Sequence, residues 1–219
     1  MVRKEKQQKA ETLVHELIGK IDADPENAQN YYNLGSALVE MQSFPQAEEL
    51  FRRALSHFTD AKDRDLLTYG LGNVLYAAEF YVEANQEFAK IQDKKLKLDA
   101  QLMQAQGFYA QKHYQQAFAY ALTVSEQAPK NEVALLLLGD SLLALGQLNQ
   151  AQEYYQKVWN LNSQSAPAAF HLGLILVTQG KIQAGQAYFA KAKELDGLYY
   201  QKQEGRLADL EKVMQKNQL

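Results

Sequence analysis

A fixed internal period is the feature that most limits what this chain can fold into. Small residues recur at Gly35, Gly72, Ala105, Gly139 and Gly173, separated by 37, 33, 34 and 34 positions. Twelve residues after each stands a second small residue, Ala47, Ala84, Ala117, Ala151 or Gly185, with the same separations. Three further columns hold the register. Leu38, Leu75, Phe108, Leu142 and Leu176 lie three past the first marker. Phe51, Phe88, Ala121, Tyr155 and Phe189 lie four past the second, and Ala54, Ile91, Val124, Val158 and Ala192 seven past it. A period in the thirties held over five copies predicts identical supersecondary units that bury their apolar faces against one another.

The stretch from Glu132 to Ser165 shows what one period contains. Leu135, Leu138 and Leu142 recur at helical spacing, and Leu148, Ala151, Tyr155 and Val158 do so again beyond the break Leu145-Gly146-Gln147. Gly146 stands where a helix must stop and turn, a place that calls for tolerance of positive φ. Little side chain at Gly139 and Ala151 lets the two helices approach closely and run antiparallel. From about Ala28 to Gly197 this pattern resembles the tetratricopeptide repeat. It departs from that family at Gln104, where a Leu usually precedes the small residue, and in its terminal prolines, which appear only as Pro25 and Pro129. The resemblance implies an all-α fold, a right-handed superhelical solenoid of antiparallel helix pairs, about twelve helices in all. A capping half-repeat would occupy residues 1–27, five repeats residues 28–64, 65–97, 98–131, 132–165 and 166–197, and a capping helix residues 198–219.

Individual stretches carry narrower expectations. Met1 to Lys9 is basic (Arg3, Lys4, Lys6, Lys9) with no apolar region after it, so a secretory signal is not expected. Leu13, Val14, Leu17, Ile18 and Ile21 form an apolar helix stripe. The connector Asp60 to Arg64 is three residues longer than its counterparts and reads as a surface loop. Lys94-Lys95-Leu96-Lys97 reads as the solvated end of the second repeat. The third repeat is the most degenerate, with Gln101, Gln104, Ala105 and Ala121 in columns filled differently elsewhere. Val133 to Leu138 and Leu172 to Val177 are apolar all round, so their helices should be covered on more than one side. Leu207, Leu210, Val213 and Met214 share one face of the last segment, as a terminal cap requires.

Several functional classes are excluded by what is missing. A net charge of -3 gives no basic stripe for nucleic acid. Zero cysteine removes disulfides, thiolate metal sites and thiol nucleophiles, and fits a reducing cytoplasm. No apolar run reaches the ~20 residues of a membrane span. Gly70-Leu71-Gly72 begins like a dinucleotide loop, but Leu75 stands where the third glycine belongs and no strand precedes it. His15, His57, His113 and His171 fall in different helices without a partner at ligand spacing. No catalytic, cofactor or metal site is expected, and the chain does not read as an enzyme.

What remains is a binding surface. In tetratricopeptide proteins a concave groove is lined by the first helix of each repeat, at its second, fifth, ninth and twelfth positions. Carried over, the fifth positions are Tyr32, Tyr69, Leu102, Leu136 and Phe170. Ser36, Asn73, Gln106 and Asp140 hold ninth positions, Tyr76 and Tyr109 twelfth positions, and Asn33 follows Tyr32 at a sixth. Chaperone-binding members place Lys at the fifth position of one unit and Lys and Arg in another to grip a terminal carboxylate; no fifth position here is Lys and no sixth is Arg, so that ligand is not expected. The resemblance therefore implies a scaffold or adaptor that takes an apolar segment of another protein into the groove. Self-assembly, with a terminal helix of a second copy in the groove, is the second reading. A peptide- or metabolite-responsive regulator is the third.

Overall fold

The computed structural model describes residues 2–205, with side chains from residue 11 onward. Every regular element among them is α-helical. In chain order these are α1 (Val2–Ala23), α2 (Ala28–Glu40), α3 (Phe44–His57), α4 (Ala61–Ala77), α5 (Tyr81–Ala89), α6 (Lys94–Ala110), α7 (Tyr114–Gln127), α8 (Glu132–Ala144), α9 (Leu148–Leu161), α10 (Ala166–Thr178) and α11 (Ile182–Leu195). A further helical stretch runs over residues 197–205. Met1–Tyr120 and Ala121–Leu219 form two compact units, the division falling inside α7. Leu207, Leu210, Val213 and Met214, the expected cap, lie outside the described residues.

Each predicted hairpin ends its first helix in the same way. Gln42, Glu79, Lys112, Gly146 and Gly180 all have positive φ, from 59° to 78°. Each falls seven residues past its first small marker. The following N–H reaches back to the carbonyl five residues earlier, as in Ser43 to Leu38 at 2.8 Å, Phe80 to Leu75 at 2.8 Å and Gln147 to Leu142 at 2.8 Å. The positive-φ residue itself donates three residues back, as in Gln42 to Val39 at 2.9 Å. This double closure satisfies carbonyls that a helix end would otherwise leave open. The residues of the column Leu38, Leu75, Phe108, Leu142 and Leu176 supply the carbonyls that accept the longer bond.

The small markers have a definite physical partner. A Cβ on Gly35 would run into the ring of Phe51, one on Gly72 into Phe88, and one on Gly139 into Tyr155 at 2.7 Å. The aromatic four past the second marker therefore lies directly over the first marker of the same repeat. Phe51 is held from two sides, because a Cβ on Gly70 of the next repeat would meet its ring as well. In the last repeat both markers are glycine, and the backbones themselves close up: a Cβ on Gly185 would come 2.8 Å from the carbonyl oxygen of Gly173.

In the N-terminal unit α4 packs across both α2 and α3, and α6 packs across both α4 and α5. Ala47, Phe51, Leu67, Leu71, Val74, Ala84, Phe88 and Ile91 make up its continuous core. A fully buried Phe of this kind contributes roughly 1.5–3 kcal/mol. Leu17 of α1 packs with Leu34 and Ala37, flanked by Val14 and Ile21. Leu13 and Ile18, expected in the same stripe, are instead exposed at 43% and 41%, so the buried face is narrower than the apolar pattern. In the C-terminal unit α9 packs on α8, α10 on α9 and α11 on α10. Its first helices are apolar nearly all round, as read from the sequence: α10 buries ten of its thirteen residues.

Two sequence expectations fail at helix starts. Asp60 to Arg64 is not a surface loop. Asp60 accepts from the N–H groups of Lys62 and Asp63, and α4 begins at Ala61. The Arg64 guanidinium folds back to the carbonyls of Leu55 and Phe58, which fixes the extra turn. Lys94 to Lys97 is likewise not the end of a repeat but the first turn of α6. Asp93 accepts from the N–H groups of Lys95 and Leu96, and those bonds hold its carboxyl below the usual range. Asp65 receives the N–H groups of Gln92 and Asp93. Two aspartates thus offset three lysines placed against the helix dipole. Gln104, a departure in the sequence, turns its amide inward and donates to the Asn85 carbonyl at 3.1 Å.

Candidate functional site

In the N-terminal unit the first helices bring Tyr32, Asn33 and Ser36 of α2, Tyr69, Asn73 and Tyr76 of α4, and Leu102, Gln106 and Tyr109 of α6 to half-buried positions. Residues between them turn inward: Leu71, Val74 and Leu75 of α4 are buried. The two stripes differ by the geometry of a 3.6-residue turn, which separates positions 5, 9 and 12 from the face that meets the companion helix.

Aromatic side chains dominate this half-buried stripe. The rings of Tyr32 and Tyr69 lie 6.5 Å apart and 19° from parallel, and Tyr69 also meets Phe88 at 5.7 Å. Burial, with Tyr32 and Asp99 nearby, pushes the Tyr69 phenol up to about 12. Its hydroxyl therefore keeps its proton at neutral pH. The Asn73 side chain hydrogen-bonds to Tyr69, one helical turn away, while the Asn73 Oδ1 has no partner among the described residues. Tyr76 rests edge-on against Tyr81 at 5.3 Å, and burial, then Tyr81, pushes its phenol up too. Tyr109 has the matching neighbour, Tyr114, at 5.3 Å. Asn33 is tied to its own helix, accepting from Gln29 Nε2 at 2.9 Å. A surface of braced tyrosines can offer rigid apolar contact, while the Asn73 Oδ1 is buried and not presented to solvent.

In the C-terminal unit Leu136 and Asp140 of α8 are half-buried, as the same stripe predicts. Phe170 departs from it. This residue, expected on the open groove, is 0% exposed. Phe189 lies 5.4 Å from its ring, and Tyr199 and Tyr200 of the final helical stretch cover it at 6.1 and 5.9 Å. Asp196 starts that stretch by accepting from the Tyr199 N–H at 2.9 Å. The fifth position of the last repeat is thus core, because the chain beyond it folds back over it.

Around Asp140 lies a polar cluster that sequence reading missed. The Tyr155 hydroxyl donates to Asp140 Oδ1 at 2.7 Å. His171 of α10 is 5% exposed, its ring 4.6 Å from that of Tyr155. Its Nδ1 comes within 3.1 Å of Asp140 Oδ1, yet neither ring nitrogen has the alignment of a hydrogen bond. Sequence spacing places these three 15 and 31 residues apart, and Tyr155 and His171 carried only packing or solvated readings. The available signal was a single carboxylate in the apolar run of α8 and a single imidazole in that of α10.

No group of three or more His, Asp or Glu side chains that could hold a metal occurs among the described residues, and no described helix is long and apolar enough to cross a membrane. A pocket of about 440 Å³ lies elsewhere, lined by Tyr31, Leu38, Glu49, Leu50, Arg53 and His57 among others, and none of the predicted groove residues borders it.

Comparison with known proteins agrees with this architecture. Profiles described as tetratricopeptide repeat match residues 32–95, 108–168 and 166–197. No curated protein matches the chain significantly. Among solved structures, a type IV pilus biogenesis factor, PilW, is similar with a TM-score of 0.70 and 20% identity, covering 88% of this chain and 89% of its own. PilF of Pseudomonas aeruginosa gives 0.72 and 18% identity, covering 92% and 91%. YrrB, described as a tetratricopeptide protein with an unusual peptide-binding site, gives 0.61 and 20% identity over 83% of this chain and 93% of that one. These likenesses are of fold.

Proposed function

The chain belongs to the tetratricopeptide repeat family, and on that premise we propose that it is a non-enzymatic scaffold whose first-helix face receives an extended or helical segment of another protein. Proteins of this fold serve in general as interaction modules. The observation that carries the reading is the half-buried tyrosine stripe of the N-terminal unit, Tyr32, Tyr69, Tyr76 and Tyr109. Large rings left partly open, each braced by a neighbour, give contact area at low entropic cost. A likeness to YrrB, whose own description names a peptide-binding site, points the same way. A cytoplasmic location belongs to this reading and rests on the absence of cysteine.

The test compares two surface pairs. Asn73→Ala with Tyr76→Ala weakens capture of the partner by roughly 2–4 kcal/mol while helicity and melting stay near wild type. Glu48→Ala with Arg52→Ala removes an exposed 2.8 Å ion pair on α3 and leaves capture unchanged. Loss of capture in the second pair only would put the interface on the second helices. Self-assembly, with a terminal helix of a second copy in the groove, is the second reading. Light scattering of the pure protein separates the two readings.

A further inference from the structure

The first helices of the C-terminal unit carry charge of one sign. Glu132 and Asp140 are the only charged residues of α8, and α10 has no lysine, arginine or carboxylate at all. Among the described residues the lysines of this unit sit on α9 (Lys157), α11 (Lys191, Lys193), the connectors (Lys130, Lys181) and the final helical stretch (Lys202). Glu132 is engaged, accepting from Asn162 Nδ2 at 2.8 Å. Asp140 is different. Its Oδ1 is held by the Tyr155 hydroxyl, which fixes the carboxylate in one orientation, yet its side chain remains 28% exposed.

We propose that Asp140 is the anchor for a basic side chain, lysine or arginine, of the segment that this unit binds. The proposal rests on the scaffold reading above and assigns it a polarity. A carboxylate oriented by a buried phenol on its inner side and flanked along α8 by Leu136 and Leu143 presents negative charge at a half-buried position, where an ion pair is less screened than in bulk water. Preorganisation by Tyr155 lowers the ordering cost of pairing. No cation of α8 or α10 competes for it. The internal neighbour of that carboxylate is the His171 ring, whose Nδ1 lies 3.1 Å from Oδ1 without the alignment of a hydrogen bond. The neighbouring surface is aliphatic, so the fitting segment is apolar with one cationic residue in register with Asp140. Its chemistry is the reverse of a terminal-carboxylate ligand.

A randomised twelve-residue peptide display library, selected against the full-length protein, tests this. Recovered peptides are expected to be enriched in Lys or Arg over Asp and Glu. For a selected peptide, Asp140→Asn should weaken binding at least tenfold. That change keeps an acceptor for the Tyr155 hydroxyl, and circular dichroism checks its fold. Glu153→Gln, an equal charge change on the exposed side of α9, should alter binding less than twofold. Exchanging the peptide's own Arg or Lys for Gln should reproduce the tenfold loss on the unaltered protein. Selected peptides without basic residues, or equal affinity of the Asp140→Asn variant, overturn the anchor and leave Asp140 as the internal neighbour of His171. Failure to select any peptide overturns the scaffold reading itself, and the anchor with it.

Discussion

The two compact units build the same hairpin from different residues. In residues 1–120 the left-handed turn position is filled by Gln42, Glu79 and Lys112; in the remainder it is filled by Gly146 and Gly180. A side chain there costs roughly 1–2 kcal/mol that glycine avoids. The aromatic over the small marker differs too. Phe51 and Phe88 are apolar plugs, Phe51 being wedged between Gly35 and Gly70, whereas Tyr155 has Gly139 on one side, His171 on another and Asp140 at its hydroxyl. The N-terminal unit therefore tolerates strain at its turns and keeps apolar rings over Gly35 and Gly72, its buried amides Asn85 and Gln104 lying elsewhere. The C-terminal unit has relaxed turns and places a polar group inside. All five repeats keep the reversal at a fixed position, four of them place a ring over the small marker, and the third fills that column with Ala121.

The sharpest way to break this comparison is to remove the ring. Phe51→Ala and Tyr155→Ala should each cost about 3–5 kcal/mol, since both side chains are buried to 1% or less and each leaves a cavity over a glycine. A mild effect at either position in chemical denaturation would show that the column is not equivalent across the units. Adding a hydroxyl discriminates more finely. Phe51→Tyr drives an oxygen between Gly35 and Gly70 with no acceptor placed for it, and should cost about 1–3 kcal/mol. The reverse change, Tyr155→Phe, keeps the ring and loses one bond to a carboxylate, so about 1 kcal/mol is expected. Equal costs would erase the distinction between plug and polar anchor.

The turns give effects of opposite sign. Gly146→Ala should destabilise by about 1 kcal/mol, because its φ is +76° while nothing stands near its Cβ position. Glu79→Gly, at φ 65°, should stabilise by a few tenths to about 1 kcal/mol, the relief of strain being partly offset by added freedom of the unfolded chain. Thermal melting of the pair decides whether the strain is real. The last expected effect is alkaline. Tyr69 is held near 12 in the folded chain against an ordinary value of 10.0, so the native state keeps a proton that the unfolded state releases. Its contribution is intact below pH 10 and is lost as pH rises from 10 towards 12. Tyr69→Phe, which titrates in neither state, should flatten that part of the stability profile.

The sequence alone determined the repeat, its register and its faces. Helical spacing fixes which side chains share a stripe, and a small residue every 33 to 37 positions declares where two helices must come close. Gly146 could be read as a left-handed turn because glycine signals it; Gln42, Glu79 and Lys112 could not, since only packing of the next helix forces them there. The aspartates at positions 60 and 93 were legible as polar residues but not as caps that lengthen α4 and α6, because capping is decided by where the preceding helix delivers the chain. Eleven of the twelve predicted face residues emerged half-buried, and Phe170 did not. A stripe records which residues point together. Whether anything covers them depends on distant chain, and Tyr199 and Tyr200 fold back thirty residues later to close that position. The meeting of Asp140, Tyr155 and His171 is of the same kind: three helices bring together groups whose separation in sequence carries no sign of contact.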